Sequence, residues 1–322
     1  MTVQEVDVKR AFVVLNPVAG RTTPDDVRSA LETTIGQAGW HYDIYETEAD
    51  VDFHDRVRAA VDDGCNLVIA AGGDGTVSMV ANCLVGTDAV LGILPAGSAN
   101  VLALELGIPG DIPGAAALIA SDHEQRELDV MQMSDQYFLL QIGIGLDSLM
   151  IKETNRESKR AFGRWAYMRT LARNMMGFES RRFSIIVDGK RMRPRAAQVL
   201  VANAGTLGAR PLTWGDHIQP GDGHLDLCIV KVRSLMDYPR VMYQFVTGRR
   251  RDSANIEYVR IMQSVTIACD HPLPVQADGE IIGTTPISSS VVPKGIRIIV
   301  PADAQPAAPI KIASRAYDGK NL

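Results

Sequence analysis

The stretch Gly72-Gly73-Asp74-Gly75-Thr76 places three glycines, one carboxylate and one hydroxyl in five consecutive positions. Glycines let a backbone come close to a ligand, the aspartate projects a charge from the turn, and Thr76 can cap a helix beginning around Val77. Two further turns carry related chemistry, Asn16-Pro17-Val18-Ala19-Gly20 and Pro95-Ala96-Gly97-Ser98-Ala99-Asn100. Any one of the three could be an ordinary tight turn, but three at successive strand ends would line one crevice for phosphates. Far downstream, Asp278-Gly279-Glu280 sets two carboxylates around a glycine, a pairing suited to activating a hydroxyl. The two would face one side if a strand ran through them; Asp-Gly is equally a hairpin turn. Gln219-Pro220-Gly221-Asp222-Gly223-His224-Leu225-Asp226 gathers oxygen donors of the kind Mg2+ or Ca2+ takes, or else forms a β-turn without metal. His217 and His224 read as turn residues.

The elements that must position these groups change in character along the chain. Apolar runs at 11–15, 42–47, 67–71 and 90–94 read as strands, and helices are expected at 25–36, 52–63 and 101–106. Alternating strands and helices imply a parallel sheet with right-handed crossovers and ligands at the carboxyl ends of its strands. From about residue 128 the texture becomes a series of short strands at 138–145, 183–187, 197–202, 225–232, 259–261, 265–269, 275–278 and 296–300. Many strands with few helices between them suggest a β-sandwich. The expected organisation is therefore an α/β domain over 1–128 and a sandwich domain over 129–306.

Within the second half, the segment 152–182 holds nine basic residues against three acidic ones, a local charge of +6. Ala161, Trp165, Met168, Ala172 and Met175 share one helical face, while Arg156, Arg160 and Arg164 follow at i+4 on another. Such a helix suits an anionic membrane surface, or packs on the sandwich with its basic face solvated. The Arg249-Arg250-Arg251 run reads as solvated surface.

The 322 residues carry a net charge of −5 and a pI near 5.7, which argues against nucleic acid as a partner. Cys65, Cys83, Cys228 and Cys269 show no CxxC spacing, as expected of reduced thiols in the cytoplasm. The first ten residues do not read as a signal peptide, and the longest uncharged run, 89–104, is broken by Gly92, Pro95, Gly97 and Asn100. Membrane contact would thus be peripheral, at the inner face. No strand is identifiable as a pairing edge, so a single chain and a homodimer both stay open.

Asn16-Pro17-x-x-Gly20, Gly72-Gly73-Asp74-Gly75-Thr76 and Pro95-Ala96-Gly97-Ser98-Ala99-Asn100, in that order, resemble the motifs of the diacylglycerol kinase catalytic domain family. That family includes soluble bacterial lipid kinases and the sphingosine and ceramide kinases. Its third motif usually has threonine where Ser98 stands, and the hydroxyl survives the change. The resemblance implies a Rossmann-like α/β domain of the NAD kinase/diacylglycerol kinase type, a C-terminal antiparallel β-sandwich, and a last segment, here 307–322, that packs back on the first domain. It implies ATP in a crevice lined by Asn16, Pro17, Val18, Ala19, Gly20, Gly72, Gly73, Asp74, Gly75, Thr76, Val77 and Ser98, with Thr47 at its edge. Asp74 would hold Mg2+ or orient the nucleophile, and the general base on a lipid alcohol such as diacylglycerol would lie in the Asp278-Gly279-Glu280 element: Glu280 supported by Asp278, with Asp278 itself the alternative. A structural Mg2+ is implied at the Asp222 carboxylate and the Gln219 and His224 carbonyls. The alternatives are a kinase for a sphingoid base or for a small molecule such as NAD, and a non-catalytic nucleotide or lipid binder.

Overall fold

The computed structural model describes residues 9–20, 22–48, 51–146, 148, 180–206, 213–215, 217–232, 237, 239–241 and 255–302. The segments 152–179 and 307–322, expected as a basic helix and a returning tail, lie outside the described residues.

The first domain alternates as its apolar runs predict. β1 (Arg10–Leu15), α1 (Pro24–Leu31), β2 (His41–Glu46), α2 (His54–Asp62), β3 (Leu67–Gly72), α3 (Asp74–Leu84), β4 (Val90–Pro95), α4 (Val101–Glu105) and α5 (Ile112–Ala120) follow in order. The four strands are parallel, ordered β4-β3-β1-β2. β3 and β4 are buried at every position, as central strands covered on both faces must be. α1 starts at a reciprocal cap: Thr23 Oγ1 accepts from Asp26 N at 3.2 Å, and Asp26 Oδ2 accepts from Thr23 N at 3.0 Å. α5 was not expected, and it carries Pro113 and Gly114 near its start. They occupy its first turn, where Asp111 Oδ1 accepts from Gly114 N at 2.8 Å and a proline needs no acceptor.

The second half is antiparallel: β5 (Glu124–Met133), β6 (Gln136–Phe138), β7 (Gln141–Gly145), β8 (Arg181–Val187), β9 (Lys190–Met192), β10 (Arg195–Ala196), β11 (Gln198–Ala202), β12 (Leu225–Val230), β13 (Ile256–Ile261), β14 (Ser264–Cys269), β15 (Pro274–Ala277), β16 (Glu280–Thr284) and β17 (Ile287–Val300). One sheet runs β13-β12-β11-β7-β15-β16. The other is continuous with the first domain, because β17 pairs antiparallel with β14 and β5 and parallel with β4. Only 296–300 of this strand was expected. The chain bulges between Val292 and Ile296, where Lys294 has φ +54, and the Pro-Lys-Gly signal there conceals a strand that continues on both sides. The boundary expected near 128 falls inside β5.

Alternation along β12 sends Leu225, Leu227 and Ile229 into the core between the two sheets, with Phe183, Ile185, Ile267 and Val275. Cys228 and Val230 face the other way, against Trp214 and Ile218. Among the described residues, no helix is long and apolar enough to cross a membrane. Truncating the fully buried Leu227 to Ala should lower unfolding free energy by about 2–5 kcal/mol through lost transfer energy and a residual cavity, as read from urea unfolding.

Candidate active site

The carboxyl ends of β1, β3 and β4 lie side by side, so the three glycine-bearing turns meet. Asn16 N donates to Ala71 O at 2.9 Å, and Asn16 Oδ1 accepts from Val18 N at 3.1 Å, which turns the chain out of β1. Asn16 Nδ2 donates to Thr76 Oγ1 at 3.0 Å, tying the first turn to the second. Thr76 is therefore not the cap expected at Val77: α3 starts at Asp74 with Gly73 as N-cap, and Thr76 is buried inside its first turn. Gly20 has φ +60, and a Cβ there would stand 1.8 Å from Ala96 O. A Cβ on Gly97 would stand 2.5 Å from Gly73 Cα. First turn against third, and third against second, are thus in backbone contact that a side chain would prevent.

The remaining crevice candidates fall around this contact. Pro17, exposed Val18 and Ala19 form the first loop; Ser98 is exposed at the third; Thr47 N donates to Leu15 O at 2.8 Å, which sets Thr47 beside the end of β1. Val77 differs. Its N–H donates to Gly73 O at 3.0 Å and its side chain enters the core, so it holds the helix and does not line the crevice. The amides of Asp74, Gly75 and Thr76 lie in the first turn of α3, whose N-cap Gly73 offers no side-chain acceptor, and the helix dipole there favours anions. Asn100, unassigned from sequence, shapes the third loop: at φ +48 its Oδ1 accepts from Gly97 N and its Nδ2 donates to Gly97 O, both at 2.9 Å.

Three carboxylates converge on this region. Asp74 Oδ1 accepts from Val101 N at 2.6 Å and so caps α4. Burial pushes its carboxyl above the usual range, against the amides of Val101, Asn100 and Leu102. Asp278 and Gly279 form the two-residue turn between β15 and β16, with φ +46 and +91, so no strand runs through them. Asp278 accepts from the amides of Leu139 at 2.8 Å, Leu140 at 3.0 Å and Gln141 at 2.9 Å, and lies 3.5 Å from Ser78 Oγ. Burial raises its carboxyl too, those amides oppose the rise and the Asp74 charge adds to it. Glu280 opens β16, is exposed, and its Oε1 lies 4.0 Å from a Cβ built on Gly75. The hairpin thus brings Asp278 to Ser78 and Glu280 to Gly75, one turn apart on α3. Only Glu280 is free of such amide commitments among the contacts described, and it faces the uncapped helix end.

At the distal turn, Asp222 Oδ1 lies 2.9 Å from His224 Nδ1. Beyond it, His224 Nε2 lies 3.9 Å from Asp226 Oδ2, and His217 Nε2 4.0 Å from Asp226 Oδ1. The histidines expected as plain turn residues thus join a carboxylate–imidazole chain. The bond to Asp222 raises the His224 pKa, and burial pushes Asp226 up to about 6. Among the described residues, no group of three or more His, Cys, Asp or Glu side chains could hold a metal ion. Asp222 is the one carboxylate in the Gln219, Asp222 and His224 set, and the His224 ring already engages it. The site expected there draws on that carboxylate and on the Gln219 and His224 main-chain carbonyls, so it asks for no such side-chain group.

The chain matches the diacylglycerol kinase catalytic domain over residues 10–133 and the YegS C-terminal NAD kinase beta sandwich-like domain over 141–300. It is 29% identical over 312 residues to an uncharacterised protein of Synechocystis sp., covering 92% of this chain and 71% of that protein. It is 26% identical over 298 residues to a diacylglycerol kinase of Bacillus subtilis (strain 168), covering 92% and 98%. A solved structure of a putative diacylglycerol kinase from Bacillus anthracis str. Sterne shares its fold, with a TM-score of 0.78 at 24% identity over 92% of this chain and 99% of that one.

Replacing Asp278 by Ala would leave the three amides of residues 139–141 without their acceptor. At about 1 kcal/mol or more for each unpaired buried group, stability in urea should fall by about 3 kcal/mol.

Proposed function

Because the chain belongs to the diacylglycerol kinase catalytic domain family, we propose that it transfers the γ-phosphate of ATP to the hydroxyl of a lipid alcohol such as diacylglycerol, giving phosphatidic acid. The observation that carries this reading is the approach of the exposed Glu280 carboxylate to the N-terminus of α3, across from the glycine-lined crevice. Phosphoryl transfer requires positioning and charge stabilisation more than covalent help from the protein. The triphosphate lies against the first-turn amides of α3 and the Gly97–Ser98 loop, where donors and helix dipole oppose its charge. Asn16 and Thr76 hold the first two loops in register beneath it.

Glu280 accepts the proton of the acceptor hydroxyl as that oxygen attacks the γ-phosphorus. The new P–O bond forms while the bond to the β-phosphate oxygen breaks, leaving ADP and the phosphorylated lipid. Asp278, committed to three amides, fixes the hairpin that carries Glu280 and takes no proton. Mg2+, when bound with the nucleotide, supplies neutralisation of phosphate charge, and we assign Asp74 to hold it. No step is assigned to a cation at Gln219, Asp222 and His224.

In this reading the acceptor comes from an anionic membrane surface at the inner face of the cytoplasmic membrane, with the basic segment 152–182 resting on the headgroups. Reversing the charge of Arg156, Arg160 and Arg164 should then reduce sedimentation with phosphatidylglycerol vesicles, each cation being worth about 1 kcal/mol near such a surface. Unchanged sedimentation would remove that role. The chemistry is tested by incubating the protein with labelled ATP, Mg2+ and a total lipid extract and identifying labelled products by mass spectrometry. Glu280→Gln should lower kcat by about 100-fold or more with nucleotide binding retained. Transfer to NAD with none to lipid, or full activity of Glu280→Gln, would overturn the proposal.

A further inference from the structure

The hydrogen bonds around the crevice close into a circuit that leaves one domain and returns to it. Asp74 accepts from Val101 N, at the first residue of α4. The last residue of α4, Glu105, accepts from Gly205 N at 3.2 Å through Oε1 and from Thr206 N at 3.0 Å through Oε2. Gly205 O takes Trp214 N at 2.6 Å and Thr213 Oγ1 at 2.8 Å. Trp214 Nε1 then donates to Gln141 Oε1 at 3.0 Å, and Gln141 N donates to Asp278 Oδ1. Asp278 approaches Ser78 on α3, the helix that Asp74 begins. The links alternate main-chain groups with the side chains of Asp74, Glu105, Trp214, Gln141 and Asp278, and α4, at five residues, spans only about 7 Å.

We infer that Glu105 is a positioning residue, a latch between the third nucleotide loop and the sandwich that sets the distance from the phosphates to Glu280. The inference rests on the lipid-kinase reading of the crevice. The domains are also joined where Asn82 Nδ2 donates to Tyr137 O at 2.6 Å and Asn82 Oδ1 accepts from Tyr137 N at 2.8 Å. β17 and Asn82 fix the sandwich to the sheet and to α3, and Glu105 adds an attachment at the third loop itself. The carboxylate suits the task because it takes two adjacent amides at once, one on each oxygen. Ala204, next to the latched pair, packs into the core of the first domain, so the segment Asn203 to Thr206 belongs to both domains. Asn203 holds the segment from the sandwich side: its Nδ2 donates to Asp129 O and Leu139 O, each at 2.8 Å. A misplacement of about 1 Å between reacting groups can cost up to about 100-fold in rate, so a loosened latch acts on turnover without touching the nucleotide.

The test uses the full chain with Glu105→Gln, which keeps one acceptor oxygen, and Glu105→Ala, which keeps none. Hydrogen exchange is followed by mass spectrometry on peptides spanning 203–206 and 139–141, alongside steady-state kinetics. The expected result is about tenfold faster exchange at Gly205 and Thr206, unchanged exchange at residues 139–141, kcat about tenfold lower and KM for ATP within about twofold, with Ala more affected than Gln. Unchanged exchange, faster exchange with full kcat, or a raised KM for ATP at full kcat would each overturn the latch. A wild-type protein that phosphorylates no lipid would instead overturn the function on which the latch rests.

Discussion

Everything at the crevice depends on main chain approaching main chain. Gly73 and Gly97 abut so closely that a single methyl group on Gly97 would overlap Gly73 Cα, and Gly20 meets Ala96 O in the same way. This contact lets β1, β3 and β4 deliver three loops to one place, so that the N-terminus of α3 is left open to an anion while its side-chain neighbours are held by one another. Bulk at Gly97 or Gly20 would separate the loops, and α3 would then present its amides to water.

The second half of the chain supplies what the first lacks. The three glycine-bearing turns by themselves carry no exposed carboxylate opposite the N-terminus of α3. The sandwich brings one by a two-residue turn whose Asp278 is spent on three amides and whose Glu280 remains exposed. Two carboxylates two positions apart thus differ in environment, Asp278 committed to main chain and Glu280 exposed, and in the proposed reaction only the second takes a proton. β17 makes the arrangement stiff, because a single strand pairs with β14 of the sandwich and β4 of the first domain.

The crevice was legible in the sequence because glycine, proline and asparagine at strand ends are local signals. Strand, turn and helix could be read at 67–84 without knowing what lay beside them, although Thr76 was misread as a cap because its true partner, Asn16, is 60 residues away. The division between Asp278 and Glu280 was not legible for the same reason: the amides that occupy Asp278 come from residues 139–141. Asn82, Glu105 and Asn203 carry no motif, since each acts on main-chain groups that only the fold brings near. α5 and β17 contain Pro and Gly, which mark a helix start and a bulge as readily as a loop.

The proposed reaction requires the three turns to form one phosphate site facing Glu280. A crystal structure with Mg2+ and a non-hydrolysable ATP analogue tests it most directly. The β- and γ-phosphates are expected against the amides of Asp74 to Thr76 and the Gly97–Ser98 loop, with the γ-phosphate directed toward Glu280. Nucleotide bound away from these turns, or a γ-phosphate directed away from Glu280, would contradict it.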